Sequence, residues 1–306
     1  MTISIRPLHP TFAAEVLGVN IAQCTDDALD VIAQAMDDYG VVVLRGQTVT
    51  NEQQIAFAEN FGPIEPSVTR FNPDTKQRIA QREIVDVSNL DENEKPRAVN
   101  DRLRMLLLGN RLWHTDSSFR AVPGALSMLF SRVIPPQGGE TEFSDNRTAY
   151  DKLPAATRQR IDSLTAEHSL MHSREQLGFT DFSPEERAAL PPVHHPLVRQ
   201  SPAHGRRALY IASHASHIVG LPVPEGRMLL RDLLDHATQR EFVYVHEWRV
   251  GDLVIWDNRC TMHRGKAYDE SVPRDLRRVT TSDTDPVSVL AALRTRRRKQ
   301  PERSEA

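Results

Sequence analysis

Only two of the 306 residues are cysteine, Cys24 and Cys260, too few for the disulfide framework of a small secreted domain. No apolar run approaches the roughly 20 residues that cross a bilayer, and the N-terminus lacks the basic-then-apolar pattern of a secretory signal. Neither sign of charge dominates: 38 basic and 41 acidic residues leave a net charge of −3. Bulk electrostatics therefore gives no case for nucleic acid or an anionic membrane surface as partner. There is no internal repeat. Gly138-Gly139 lacks the lysine and following helix of a phosphate loop, and Ser117-Ser118 has no nucleophile elbow around it. His194-His195 is an adjacent pair, and neighbours on a strand point to opposite faces, which argues against joint chelation. A soluble cytoplasmic protein is the expectation, long enough to bury one large core.

The periodicity predicts many strands with a few helices. Short strands are expected around Ile3-Ile5 and Val19-Ile21. Thr25 caps a helix whose Leu29, Ile32 and Met36 recur at helical spacing before Gly40 ends it. Val41-Val42-Val43-Leu44 is a continuous run suited to a buried strand. Thr50 opens a second helix with Ile55, Phe57 and Ala58 inward. Residues 64–110 read as irregular apart from a strand at 84–88, a plain surface loop for the most part and a candidate lid beside a site. Residues 126–130 and 140–143 read as strands joined through Pro135–Gly139, and 154–164 as a helix. Residues 165–206 read as a long insertion, followed by a strand at 207–211. Pro224 to His236 is a helix with Met228, Leu229, Leu233 and Leu234 on one side. Residues 242–248 and 253–256 read as a hairpin. The pattern fits an α+β arrangement, a double-stranded β-helix (jelly roll) with helices packed on one side, as a single domain over 1–288. The basic end, 289–306, reads as a disordered tail.

His114-Thr115-Asp116 closes an apolar run. Alternate residues of an extended strand share a face, so His114 and Asp116 can bind one metal ion. A second imidazole from His263, in Trp256-Asp257-Asn258-Arg259-Cys260-Thr261-Met262-His263-Arg264, would complete a two-histidine, one-carboxylate set that suits non-heme Fe(II). His-x-Asp alone decides nothing, because composition produces about one such match by chance. In isolation Asp116 also suits a turn cap and His263 a core histidine. Arg274 and Arg278 follow in a strand-like segment, and a buried arginine is costly unless it meets an anion.

Taken together, His114-Thr115-Asp116, Thr141, Trp256-Asp257-Asn258-Arg259 with His263-Arg264, and Arg274 with Arg278 resemble the TauD/TfdA family of Fe(II)/2-oxoglutarate dioxygenases. The resemblance runs from about Phe12 to Asp283. Residues 53–58, 112–119, 138–143 and 225–230 look closest to the branch acting on phenoxyacetates. It implies Fe(II) on His114, Asp116 and His263, with 2-oxoglutarate and O2 as co-substrates. It further implies that Arg274 and Thr141 hold the far carboxylate of 2-oxoglutarate while Trp256 packs against it. Thr141 would otherwise be an ordinary strand residue and Trp256 a core residue. Arg278 would hold a small anionic organic substrate, with Asn110 and His214 as further pocket residues; either could equally be a polar loop residue. The family's habit is a homo-oligomer, and Fe(II) favours a reducing compartment. Three alternatives stay open: a sulfonate as substrate, a zinc hydrolase on the same ligands, and a jelly-roll binding module with structural histidines.

Overall fold

A computed structural model of the chain describes residues 2–67 and 77–299. Its main sheet has seven strands in the order Ser4–Pro7, Ala14–Leu17, Val41–Leu44, Leu253–Asp257, Gly124–Val133, Asp275–Ser282 and Val85–Ser88. A smaller sheet orders Val243–His246, Thr141–Asp145 and Thr261–Gly265. Every pairing is antiparallel except Ala14–Leu17 with Val41–Leu44. This is the expected jelly-roll arrangement.

Strand alternation sorts the core into two layers. Val42, Leu44, Met128, Phe130, Leu253 and Ile255 meet the helices Asp26–Tyr39 and Asn51–Glu59 on the outer face. Val41, Val43, Leu129, Val254 and Trp256 point inward against Phe143 of the smaller sheet. Each such fully buried aliphatic side chain contributes roughly 1.5–3 kcal/mol. Both helix starts follow the sequence: Thr25 Oγ1 accepts from Ala28 N–H, and Thr50 and Gln53 form a reciprocal capping box. Ile55 is only half-buried; its neighbour Gln54 is buried instead, donating to the Met128 and Arg277 carbonyls at 3.1 and 2.9 Å.

Several expectations are corrected. The strands at 243–246 and 253–257 are not a hairpin, because they lie in different sheets. Leu253–Asp257 is buried throughout, between two strands, whereas Val243–His246 is a half-buried edge. Near the N-terminus the second strand is Ala14–Leu17, and Ile21–Gln23 is a 3-10 turn. The segment 165–206 is built rather than merely inserted: Thr165–His168 and Val193–Pro196 join Ala215–Ile218 in a three-stranded sheet. The helix Val223–Ala237 packs there through Leu229, Leu230 and Leu233, while Met228 is 66% exposed. Within 64–110 the chain forms a short helix, Arg102–Leu107; residues 68–76 of that segment lie outside the described residues.

The tail is also corrected. Val289–Lys299 is helical, and residues 300–306 lie outside the described residues. Val289 and Leu293, one turn apart, are buried in the outer core, while Arg294 and Arg297 pair with Asp30. Asp37 caps this helix from a different helix, accepting from Val289 N–H at 2.7 Å and Leu290 N–H at 3.1 Å. Among the described residues no helix is long and apolar enough to cross a membrane. Asp37→Ala leaves one buried and one half-buried donor without their acceptor and should cost about 1–2 kcal/mol in denaturant unfolding. Unchanged stability would mean that the last helix does not dock in solution.

Candidate metal centre

His114 lies outside the regular strands and is fixed by one isolated antiparallel bridge to His263. His114 N–H donates to the His263 carbonyl at 2.9 Å, and His263 N–H returns a bond at 2.8 Å. The two imidazoles sit with centroids 4.1 Å apart. Asp116, two residues on, reaches both: its Oδ1 is 3.8 Å from His114 Nε2 and its Oδ2 is 3.7 Å from His263 Nε2. One ligand atom from each residue lies within 4.8 Å of the others, and all three residues are buried.

A second layer orients these groups. His114 Nδ1 is 2.8 Å from the Leu112 carbonyl, which favours a proton there and leaves the Nε2 lone pair directed at the site. That Nε2 is buried without a hydrogen-bond partner. An orphaned imidazole nitrogen beside a carboxylate fits a metal ligand better than a satisfied core histidine. Ser127 Oγ donates to Asp116 Oδ2 at 2.7 Å. Asn258 links them, its Nδ2 donating to Ser127 Oγ at 2.9 Å and its Oδ1 accepting from Asp116 N–H at 3.1 Å and from Trp256 Nε1 at 3.0 Å. Burial opposes ionisation of Asp116, but the neighbouring Arg278 guanidinium leads the interactions that outweigh it and hold its pKa at about 2. Burial lowers the pKa of both histidines, so both imidazoles are neutral at neutral pH.

Two cavities meet at the triad. The first is lined by His114, His263, Thr141, Trp256, Arg274 and Tyr268, among others. Trp256 packs 4.6 Å from the His263 ring. Arg274 is buried, with Nη1 3.3 Å from the Val87 carbonyl and its cation 5.3 Å above the Tyr268 ring. No carboxylate among the described residues pairs with it. Burial lowers its pKa. Gly139 adopts φ 76°, a left-handed conformation that favours glycine, and turns its carbonyl to within 3.5 Å of Arg274 Nη2. Thr141 Oγ1 accepts from Trp248 Nε1 at 3.0 Å.

The second cavity lies on the Asp116 side and includes His214, Phe119 and Leu170. Asn110 and Arg278 line both cavities. Arg278 donates from Nη1 to Asp116 Oδ1. Arg277, on the opposite face, bonds Asn51 at 2.6 Å. All nine residues singled out in the sequence thus border the triad or its cavities. Ser127 and Tyr268 carried no sequence signal; Asn258 stood inside the Trp-Asp-Asn-Arg motif without an assigned role.

The model of the taurine catabolism dioxygenase TauD, TfdA family matches residues 4–280. The chain belongs to the TauD/TfdA dioxygenase family. It is 48% identical over 284 residues to the alpha-ketoglutarate-dependent 2,4-dichlorophenoxyacetate dioxygenase of Cupriavidus pinatubonensis, covering 92% of this chain and 99% of that one. It is 35% identical to the (S)-phenoxypropionate/alpha-ketoglutarate-dioxygenase of Sphingobium herbicidovorans, over 88% and 91% of the two chains. Among solved structures it is similar to AAD-2 in complex with Mn(II) and N-oxalylglycine, with a TM-score of 0.89, 48% identity, and 94% and 100% coverage.

Removing the Ser127 hydroxyl frees one Asp116 oxygen from its orienting bond. Ser127→Ala should weaken Fe(II) or Mn(II) binding roughly ten- to hundredfold in anaerobic calorimetry. Undiminished affinity would show that Asp116 is held without it.

Proposed function

We propose that this protein is an Fe(II)/2-oxoglutarate-dependent dioxygenase that hydroxylates the methylene beside the carboxylate of an aryloxyalkanoate. The hemiacetal formed from an aryloxyacetate then breaks its ether bond, giving a phenol and glyoxylate alongside succinate and CO2. The observation that carries this reading is the buried triad His114, Asp116 and His263 facing a cavity that also holds Arg274, a buried guanidinium with no acid partner. The aryloxy specificity rests on the 48% identical relative.

His114, Asp116 and His263 would hold the metal, and they fit it by donor type, burial and the orphaned His114 nitrogen. Bound Fe(II), with O2 and 2-oxoglutarate, supplies the oxidising power that inserts one oxygen atom into a substrate C–H bond. Arg274 receives the far carboxylate of 2-oxoglutarate through its planar fork, and the Thr141 hydroxyl adds a further bond. N-oxalylglycine, bound in AAD-2, differs from 2-oxoglutarate by an NH in place of a methylene, so the same contacts serve it. Trp256 closes the co-substrate cavity and excludes water. Arg278, Asn110 and His214 border the substrate, whose ring lies against apolar walls of the second cavity. A cytoplasmic location and assembly into a homo-oligomer are part of this proposal.

Anaerobic visible absorption with Fe(II) and 2-oxoglutarate should reveal a charge-transfer band that shifts when phenoxyacetate is added. A band indifferent to phenoxyacetate would discard the substrate, and no band would discard the dioxygenase. Arg274→Ala removes charged hydrogen bonds worth about 1.5–3 kcal/mol and should raise the KM for 2-oxoglutarate roughly ten- to hundredfold. The KM for phenoxyacetate should change little, and the opposite split would exchange the two arginines' roles.

A further inference from the structure

Thr141 heads the middle strand of the smaller sheet, with His246 and Gly265 opposite it on the two neighbouring strands. It lines the cavity that holds Arg274 and is only 3% exposed. A hydroxyl has one proton to give and lone pairs to accept with, so its direction depends on its neighbours. Here one neighbour decides it. Trp248 Nε1 lies 3.0 Å from Thr141 Oγ1, and an indole nitrogen can only donate. Thr141 is therefore the acceptor in that bond, and its own proton is left for a second partner. No acceptor among the described residues takes it.

Trp248 lines neither cavity at the triad. It is buried two residues past the edge strand Val243–His246, in the inward layer with Trp256, Phe143 and Leu129. The indole is held in its turn: the His246 ring meets it edge-on, with centroids 4.5 Å apart. His246 is fully buried, its Nε2 3.1 Å from Asp252 Oδ2. That oxygen also accepts from Arg249 N–H at 2.9 Å and Arg45 Nη1 at 2.7 Å. A donor fixed this firmly orders the hydroxyl before any ligand arrives, so the ordering cost is not met on binding.

We propose that Trp248 is a positioning residue for the co-substrate: by donating to Thr141 it directs the hydroxyl proton at the far carboxylate of 2-oxoglutarate, beside Arg274. This rests on the co-substrate reading above and adds to it the group that sets the hydroxyl's direction. A carboxylate only accepts, so a hydroxyl turned the other way would bring two acceptors face to face.

The test isolates the far carboxylate by comparing 2-oxoglutarate with 2-oxobutyrate, which lacks it, each titrated anaerobically onto the Fe(II)-loaded protein and followed by the charge-transfer band. In Trp248→Phe, 2-oxoglutarate should bind roughly three- to tenfold more weakly, the size of one hydrogen bond, while 2-oxobutyrate stays within about twofold. Thr141→Val should show the same selectivity. Adding Trp248→Phe to Thr141→Val should then change little, since no hydroxyl is left to orient. Benzothienylalanine placed at position 248 keeps the indole's shape with sulfur in place of the N–H, and should reproduce the selective loss even if Trp248→Phe fails to fold. Equal weakening of both 2-oxo acids, additive losses in the double variant, or undiminished 2-oxoglutarate binding in both position-248 variants would overturn the proposal and leave Trp248 a packing residue. Unaltered binding in Thr141→Val would overturn the role of Thr141 on which it rests. A wild-type protein that does not prefer 2-oxoglutarate to 2-oxobutyrate would overturn the co-substrate reading itself, and shows before any substitution is made.

Discussion

Two backbone hydrogen bonds between His114 and His263 bring the site together. One segment follows the short helix of residues 102–107, and the other is the smaller sheet's strand Thr261–Gly265. No longer ladder joins them, so the bridge sets the spacing of the two imidazoles. Its stiffness comes from its surroundings. Thr115 Oγ1 donates to the Thr261 carbonyl at 3.0 Å, and Trp113 and Met262 are buried in one apolar cluster. Core and site are therefore one construction. A cavity opened beneath Met262 would loosen the angle between the histidines as well as lower stability.

The treatment of buried cations gives the site its meaning. Arg78 pairs with Asp86 and Asp275 at 2.8 and 2.7 Å, Arg147 with Asp145 at 2.9 Å, and Arg259 with Asp257 at 2.8 Å. In each, the acid offsets the desolvation of the guanidinium. Arg274 breaks this rule among the described residues, and it lines the cavity that His114 and His263 also border. A protein that matches such buried arginines with its own acids leaves this one where an acid from outside can complete it.

Much of this was legible in the sequence, for reasons that differ by residue. The helix starts were readable because Thr25 and Thr50 with Gln53 act within one turn. The candidate ligand set was readable because His-x-Asp, a distant His and paired arginines together match a family pattern that none carries alone. The sheet assignment of Val243–His246 was not, since a strand that changes sheets has the same alternation as one that turns back. The last helix was missed because its arginines looked solvated, while Asp30 and Asp37, far away in sequence, hold them and the helix start.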